Sequence, residues 1–578
     1  MVYRSRHRAR RRHRSRGVVV VVVMAVLALA AGASWAGSRG PGTSRTAGAA
    51  RALGAGHERS GSRAGRSGAA AGPAGGSAGA TGAGRRAATF PGPDGVEARW
   101  VIDQNKLPGT TAWRISGTPP GMISGWFDRV SSSDGGTVTL YVSTNAATYH
   151  VDAYRMGYYG GDGARLVWSS PTLTGRRQPP CPVTPGTNMV ACDNWSPSLR
   201  VHITPAFVQG DYLFELVGSG GQKSYVPLTV TDPTSRATYL VKNDVLTWQA
   251  WNSYGGYDFY QGIGNCPSGH YPLCSRARVV SFDRPYAYGS GAADFLGNEY
   301  PLVYWAEKHG LDVTYWTDQT VVAHPSLLAN HKALLSLGHD ECWSLRERTA
   351  VENANHSNGL NVVFFGASAM LRHVRLQSSP LGGLREVVDY RNSLKDPLYG
   401  GANPLEVTGN TWSSPPASWP ESNFVGESYA GYLFNGVEPV NFIVSDASSW
   451  IFSGTGLKNG GSIPGVIASD FDSFEANNPH PDNLEILGHS LLPSKEVQTT
   501  IPPKLGVYSD MTYYTDAQSG GGVFDSGTNN WISSLSSCPS SVSCPSAMVR
   551  KITQNLLWLF GQGPSGKTEP SVANWQHP

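Results

Sequence analysis

His339, Asp340, Glu341 and Cys342 occupy four consecutive positions: a base, two carboxylates and a thiol placed side by side. They sit within residues 334–344, LLSLGHDECWS, where an apolar run ends in a glycine and polar groups follow at once. Residues 333–337 have the length and apolarity of a buried strand. Ser344, with Glu347 three residues on, forms a capping box that opens a helix. The cluster is therefore expected between a strand end and a helix start. Open α/β sheets leave a crevice there, and helix N-termini add positive field. His339 and Glu341 are two apart, so on an extended strand end they face the same way and reach one ion or one substrate atom. Taken alone, a His-x-Glu pair is equally well a polar strand end that caps the next helix.

Two more polar and aromatic stretches should overlook the same crevice, because each follows a predicted strand: TWQAWNSYGGYDFY at 247–260 and SFDRPY at 281–286. Singly, each aromatic there serves packing or a stacking platform for sugars. The elements that must position these groups are strands at 238–242, 279–282, 311–315, 333–337 and 360–365. Helical patterns lie between them at 298–309, with Pro301 in its first turn, and at 345–355, stopped near Gly359. Strand, helix, strand at this spacing implies a mainly parallel sheet covered on both faces. Residues 548–560 form a closing amphipathic helix, and the Gly- and Ser-rich stretch 399–524 gives no clear period.

Upstream, the period is two. Val138, Leu140 and Val142 alternate with Thr137, Thr139 and Tyr141, and Tyr149, Val151 and Ala153 alternate with His150 and Asp152. Turn clusters at 133–136 and 157–161 separate these runs, and another apolar run follows at 212–217. An immunoglobulin-like β-sandwich over 96–232 is the expected fold, followed by an α/β domain over 233–563 and a tail at 564–578.

The formal charge of +4 is unevenly spread. Residues 1–96 hold 16 Arg against Glu58 and Asp94, which is +14, so +4 less +14 leaves −10 for the remainder. That balance disfavours a nucleic-acid partner for the folded part, since phosphate affinity needs clustered Lys and Arg. The basic residues 1–16, the apolar run 18–31 and the small residues of Ser34-Trp35-Ala36 read as a signal peptide over 1–36. The apolar run is shorter than the roughly 20 residues of a spanning helix. Residues 37–95, almost all Gly, Ala, Ser and Arg, read as a disordered linker, with a basic arm along an anionic cell wall or membrane surface as its functional alternative. A secreted or cell-surface protein follows as an expectation. The seven cysteines agree with it, pairing locally as Cys181 with Cys192, Cys266 with Cys274 and Cys538 with Cys544, and leaving Cys342 over.

The ordered set TWQAWNSYGGYDFY, SFDRPY, LLSLGHDECWS and NVVFFGASAMLRHVRL resembles the large (beta) subunit family of N,N-dimethylformamidase. YRMGYYGGDGARLV precedes it and GGGVFDSGTNNW follows, so that the likeness runs from about Val96 to Gly563. The resemblance implies an α/β domain of amidotransferase-like topology and hydrolysis of a small amide. It also implies a mononuclear ferric iron centre held by two tyrosine phenolates and one glutamate. On this sequence the glutamate falls on Glu341, with His339 beside it as a catalytic group; the tyrosines fall on Tyr260 and Tyr286, with Tyr257, Tyr288 and Tyr300 as alternatives. Ferric iron suits phenolate and carboxylate oxygen, and such an ion polarises an amide carbonyl or lowers the pKa of bound water, whose proton His339 could take. Ser368 stands where the family would have an asparagine against substrate, Asp470 or Asp472 where it would have a glutamate, and Cys342 where a tyrosine is common. A small partner subunit or a homo-oligomer is also implied.

Two other readings compete. Cys342 on a strand-to-helix turn beside His339 could be an amidotransferase-like nucleophile. Alternatively, the aromatic faces could bind polysaccharide without catalysis, with Asp340 and Asp470 as a carboxylate pair in an enzymatic version.

Overall fold

Alternation upstream and continuous apolarity downstream become two different kinds of sheet. The computed structural model describes residues 88–117, 121–264, 275–500, 506–536 and 546–576. The signal peptide, nearly all of the linker and the pairs Cys266–Cys274 and Cys538–Cys544 lie outside these residues. The described chain is built mostly of strands in several sheets with few helices. All the described residues fall in one compact unit. A hairpin of Thr89–Gly92 with Gly95–Ala98 starts inside the stretch expected as linker and ends beyond it, so regular structure begins before Val96.

In the upstream part, Leu199–His202, Thr137–Thr144 and Ile123–Phe127 form one antiparallel sheet. Lys223–Val230, Gly210–Gly218, Thr148–Met156 and Ala164–Ser169 form the body of a second. Val138, Leu140 and Val142 of the first share an apolar core with Val151, Phe214 and Leu228 of the second. Cys181 and Cys192 are joined by a disulfide.

The downstream sheet runs in the order Val313–Thr317, Tyr239–Asn243, Ala333–Gly338, Asn361–Gly366, Gly522–Asp525, Tyr508–Thr515, Glu485–Leu491. The first five strands are parallel, and Tyr508–Thr515 runs antiparallel to both of its neighbours. Period two divides its side chains between two cores: Val241, Leu335, Val363 and Phe365 pack on one face, and Leu240, Leu334, Val362 and Phe364 on the other. Strands buried on both faces read as continuous apolar runs, which is why they were visible in the sequence. Val279–Ser281 departs from expectation. It pairs antiparallel with Gly382–Val388 in a separate four-stranded sheet that includes Arg372–Ser379 and Cys342–Ser344. The Leu345–Asn358 helix opens on the Ser344–Glu347 capping box and ends at Gly359, whose φ of 70° is the left-handed turn that glycine allows.

Candidate active site

Gly338 ends the central strand with φ +54°, where an added Cβ would stand 2.6 Å from the Asn298 carbonyl oxygen. On the neighbouring strand, a Cβ on Gly366 would lie 1.4 Å from the Gly338 carbonyl oxygen. Two glycines at the ends of adjacent parallel strands thus let two loops approach, one carrying His339 to Cys342 and the other Ser368. A third strand, Asp470–Ser473, brings Asp470 and Asp472 up to both.

His339 Nε2 lies 3.4 Å from Asp470 Oδ2 and 3.6 Å from Glu341 Oε2. It is buried and makes no hydrogen bond to the described residues, so these are ion-pair contacts. Burial alone would lower the imidazole pKa; the carboxylate of Asp470, then that of Glu341, overrides it and raises the pKa. Asp470 is itself raised by burial, against the pull of His339. Its Oδ2 accepts a hydrogen bond from Ser368 Oγ at 2.9 Å. Ser368 has φ +61°, a strained position for a non-glycine residue. Asp472 holds it there, accepting the Ser368 backbone N–H at 2.7 Å and that of Ala369 at 3.4 Å. Burial pushes Asp472 up to about 7.

Glu341 is held from four sides. Its backbone N–H donates to Thr247 Oγ1 at 3.1 Å, and its Oε1 accepts from Arg372 Nε at 3.0 Å. Oε2 accepts from Trp251 Nε1 at 3.1 Å and from the Tyr260 hydroxyl. Burial works against its charge, but Arg372 and then His339 hold the pKa below the usual value. Tyr260 stacks on Trp251 with centroids 3.7 Å apart, and the Arg391 guanidinium lies 4.3 Å from the Tyr260 ring centre. The Tyr260 hydroxyl pKa is raised well above the usual phenol by burial and then by Glu341.

The structure therefore brings together His339, Glu341, Tyr260, Ser368 and Asp470. It does not bring Tyr286 to them. Tyr286 is packed edge-on against Trp248 and Tyr288. The alternatives point elsewhere too: Tyr257 donates to the Ile263 carbonyl, Tyr288 to that of Trp248 and Tyr300 to that of Gly163. Cys342 is fully buried in the core, its thiol pKa raised by burial and then by Glu341, which opposes its use as a nucleophile. Asp340 turns away from Asp470, accepting from Ser336 Oγ at 2.5 Å and pairing with Lys242 at 2.7 Å, so these two do not make a carboxylate pair.

The iron set implied by the resemblance does not fit the residues present. Of Tyr260, Tyr286 and Glu341 only two meet, and the carboxylate they would share already accepts three hydrogen bonds, one of them from a guanidinium. A separate group can accommodate a metal ion by geometry: buried ligand oxygens of Asp244, Asp318 and Asp340 lie within 4.8 Å of one another. The Lys242 ammonium stands among them, 2.5 Å from Asp318, 2.7 Å from Asp340 and 3.3 Å from both Asp244 and Glu347.

Sequence reasoning missed Trp251, Arg372 and Tyr429, the last of which feels the charges of Asp470 and Glu341. Trp251 lay inside a motif already singled out. Arg372 is placed by register, as Cys342 pairs with it across parallel strands. Tyr429 comes from the segment without a readable period.

Residues 150–544 match the family described as N,N-dimethylformamidase beta subunit-like, C-terminal. No curated protein matches the chain. Among solved structures, a Paenibacillus sp. cycloisomaltooligosaccharide glucanotransferase complexed with cycloisomaltoheptaose is 9% identical over 57% of this chain and 63% of that one, with a TM-score of 0.15. A Faecalibacterium prausnitzii beta-glucuronidase is 12% identical over 43% of this chain and 42% of that one, with a TM-score of 0.12. The chain spans less than two thirds of either, and overlap this slight carries no information on fold or activity.

Proposed function

The chain belongs to the N,N-dimethylformamidase beta subunit-like family, and from that premise we propose that it hydrolyses the C–N bond of a small amide at the His339 site. The observation that carries the reading is His339 Nε2: buried, without a hydrogen-bond partner among the described residues, and set between two carboxylates. Amide cleavage needs a base to activate water and an acid to protonate the leaving nitrogen. Asp470, with its side chain 19% exposed, is the carboxylate open to a water molecule, and it accepts that water's proton. His339, whose imidazolium the Asp470 and Glu341 carboxylates favour, gives its proton to the departing amine. Ser368 Oγ orients Asp470 and can turn to the substrate carbonyl, and Glu341 fixes the ring.

Several wider features belong to the same reading. The parallel sheet with the His339 and Ser368 loops at its strand ends supports an amidotransferase-like arrangement over 233–563, and the two upstream sheets support an immunoglobulin-like sandwich over 96–232. The Cys181–Cys192 disulfide supports an oxidising compartment and hence export through the N-terminal segment. The basic segment would then lie against the cell surface, and the family leaves room for a small partner subunit.

The test is release of amine or ammonia from a panel of formamides, acetamides and primary amides by the purified chain. Release by the wild type that is lost in His339→Gln supports the reading, and no release from any amide, with or without a co-purified partner, overturns it.

A further inference from the structure

We infer that Glu341 is closed to metal and that the Arg372 guanidinium fills the place a cation would take beside Glu341 and Tyr260, so that the His339 site of this chain works without iron. Arg372 is a positioning residue here, acting through Glu341. Backbone pairing puts it there: the Arg372 N–H donates to the Glu341 carbonyl oxygen at 2.7 Å, ahead of the Cys342–Arg372 pair. Its Nε then reaches Glu341 Oε1, while Nη1 donates to the Asn410 carbonyl at 2.7 Å and to Asn410 Oδ1 at 2.9 Å. Bonded to Glu341 on one side and to Asn410 on the other, and only 13% exposed, the guanidinium is held against displacement by an incoming ion.

The other carboxylate oxygen is blocked by chemistry. An indole nitrogen carries a hydrogen and no available lone pair, so Trp251 can donate to Glu341 but cannot ligate. Its ring also covers Tyr260, with planes inclined by only 12°. The Tyr260 hydroxyl spends its proton on the same oxygen, and Arg391 adds a second guanidinium over the phenol ring. A ferric ion would meet two fixed positive groups in a buried site, where like charges repel far more than in water. Nor can the ring's neighbours form a substitute set. Among the described residues, the group of His, Cys, Asp or Glu ligand atoms within 4.8 Å of one another is the aspartate triad, not His339 with Glu341 and Asp470. The inference concerns metal content and stands whether or not the amide reading does.

The full chain, incubated with ferrous or ferric iron and then desalted, is measured by elemental analysis and visible absorption. Expected are no stoichiometric iron and no phenolate-to-iron band for the wild type and for Arg372→Lys. Arg372→Met, and Arg372→Gln should the first fail to fold, are expected to bind iron about tenfold more tightly than the wild type, through the vacated carboxylate oxygen. Wild-type iron with a visible band that Tyr260→Phe removes would overturn the inference. Equal iron affinity in the wild type and a folded Arg372→Met or Arg372→Gln variant would do the same. Iron held without that band and unaffected by Tyr260→Phe sits elsewhere and supports it.

Discussion

His339 Nε2 stands 3.4 Å from Asp470 Oδ2, although the first follows a central parallel strand and the second begins a strand of another sheet. Neither would hold its charge as well alone: burial opposes both the imidazolium and the carboxylate, and each offsets the penalty on the other. If the pair moves protons during turnover, His339→Gln should lower kcat by about 10²- to 10⁴-fold, with Asp470→Asn in the same range and little change in KM. Steady-state kinetics on the amide found active would check this. A change confined to KM in both variants would count against a role in proton transfer.

The same pair sets a pH dependence. His339 has a raised pKa, so the acid form persists above the ordinary imidazole range, and turnover that needs it falls as pH rises through that raised value. Removing the Asp470 charge takes away the largest favourable contribution to the imidazolium, so the alkaline limb should move to lower pH in Asp470→Asn. The pH–kcat profiles of the two proteins give the comparison. A limb that stays in place would show that another group carries it.

Cys342 lies in the core and its thiol pKa is raised, so iodoacetamide should leave Cys342 of the native chain unmodified and the chain active, and should label Cys342 only after denaturation. Cys342→Ala is expected to cost about 1 kcal/mol of stability while turnover stays within about twofold. Mass spectrometry of the alkylated peptide, alongside the activity assay, decides the matter.

Lys242 is the cation for Asp244, Asp318, Asp340 and Glu347, all of them buried. Burial lowers its pKa, yet these carboxylates hold it well above the usual value. Lys242→Met would strand them without a counter-charge and should destabilise the chain by about 3 to 5 kcal/mol. The aspartate triad would then be open to a metal ion, so added divalent cation should recover part of the melting temperature in the variant and not in the wild type. Thermal melts with and without the cation read both effects.

What could be read from the sequence follows from how locally each feature is encoded. The capping box at Ser344 and Glu347, the Gly359 stop and the apolar runs of the parallel strands depend on neighbours within a few residues, and all were legible. So was the placement of His339 and Glu341 at a strand end. Tyr286 was misplaced because following a strand does not say which sheet the strand joins; Val279–Ser281 belongs to the four-stranded sheet, and Tyr286 turns toward Trp248. Arg372 and Tyr429 reach the site through cross-strand register, which a single chain does not display.

Asp211 gives a prediction that touches no catalytic group. It is buried, accepts hydrogen bonds from Thr229 Oγ1 at 3.1 Å and from Asn243 Nδ2, and keeps its second oxygen without a partner. Burial pushes its pKa up to about 7, with these hydrogen bonds only partly opposing the rise. An unfolded Asp releases its proton near pH 3.9. Between about pH 4 and pH 7 the folded chain therefore holds a proton that the unfolded chain has lost, and the stability this confers, full below about pH 4, declines as pH rises through that window. Burial sets Glu421 at about 7 as well, so it should add a slope of the same sign. Asp211→Asn keeps the shape and removes the titration, so its denaturant midpoint should fall less steeply from pH 4 to 7 than that of the wild type. Parallel slopes in the two proteins would mean that Asp211 is already ionised in the folded chain.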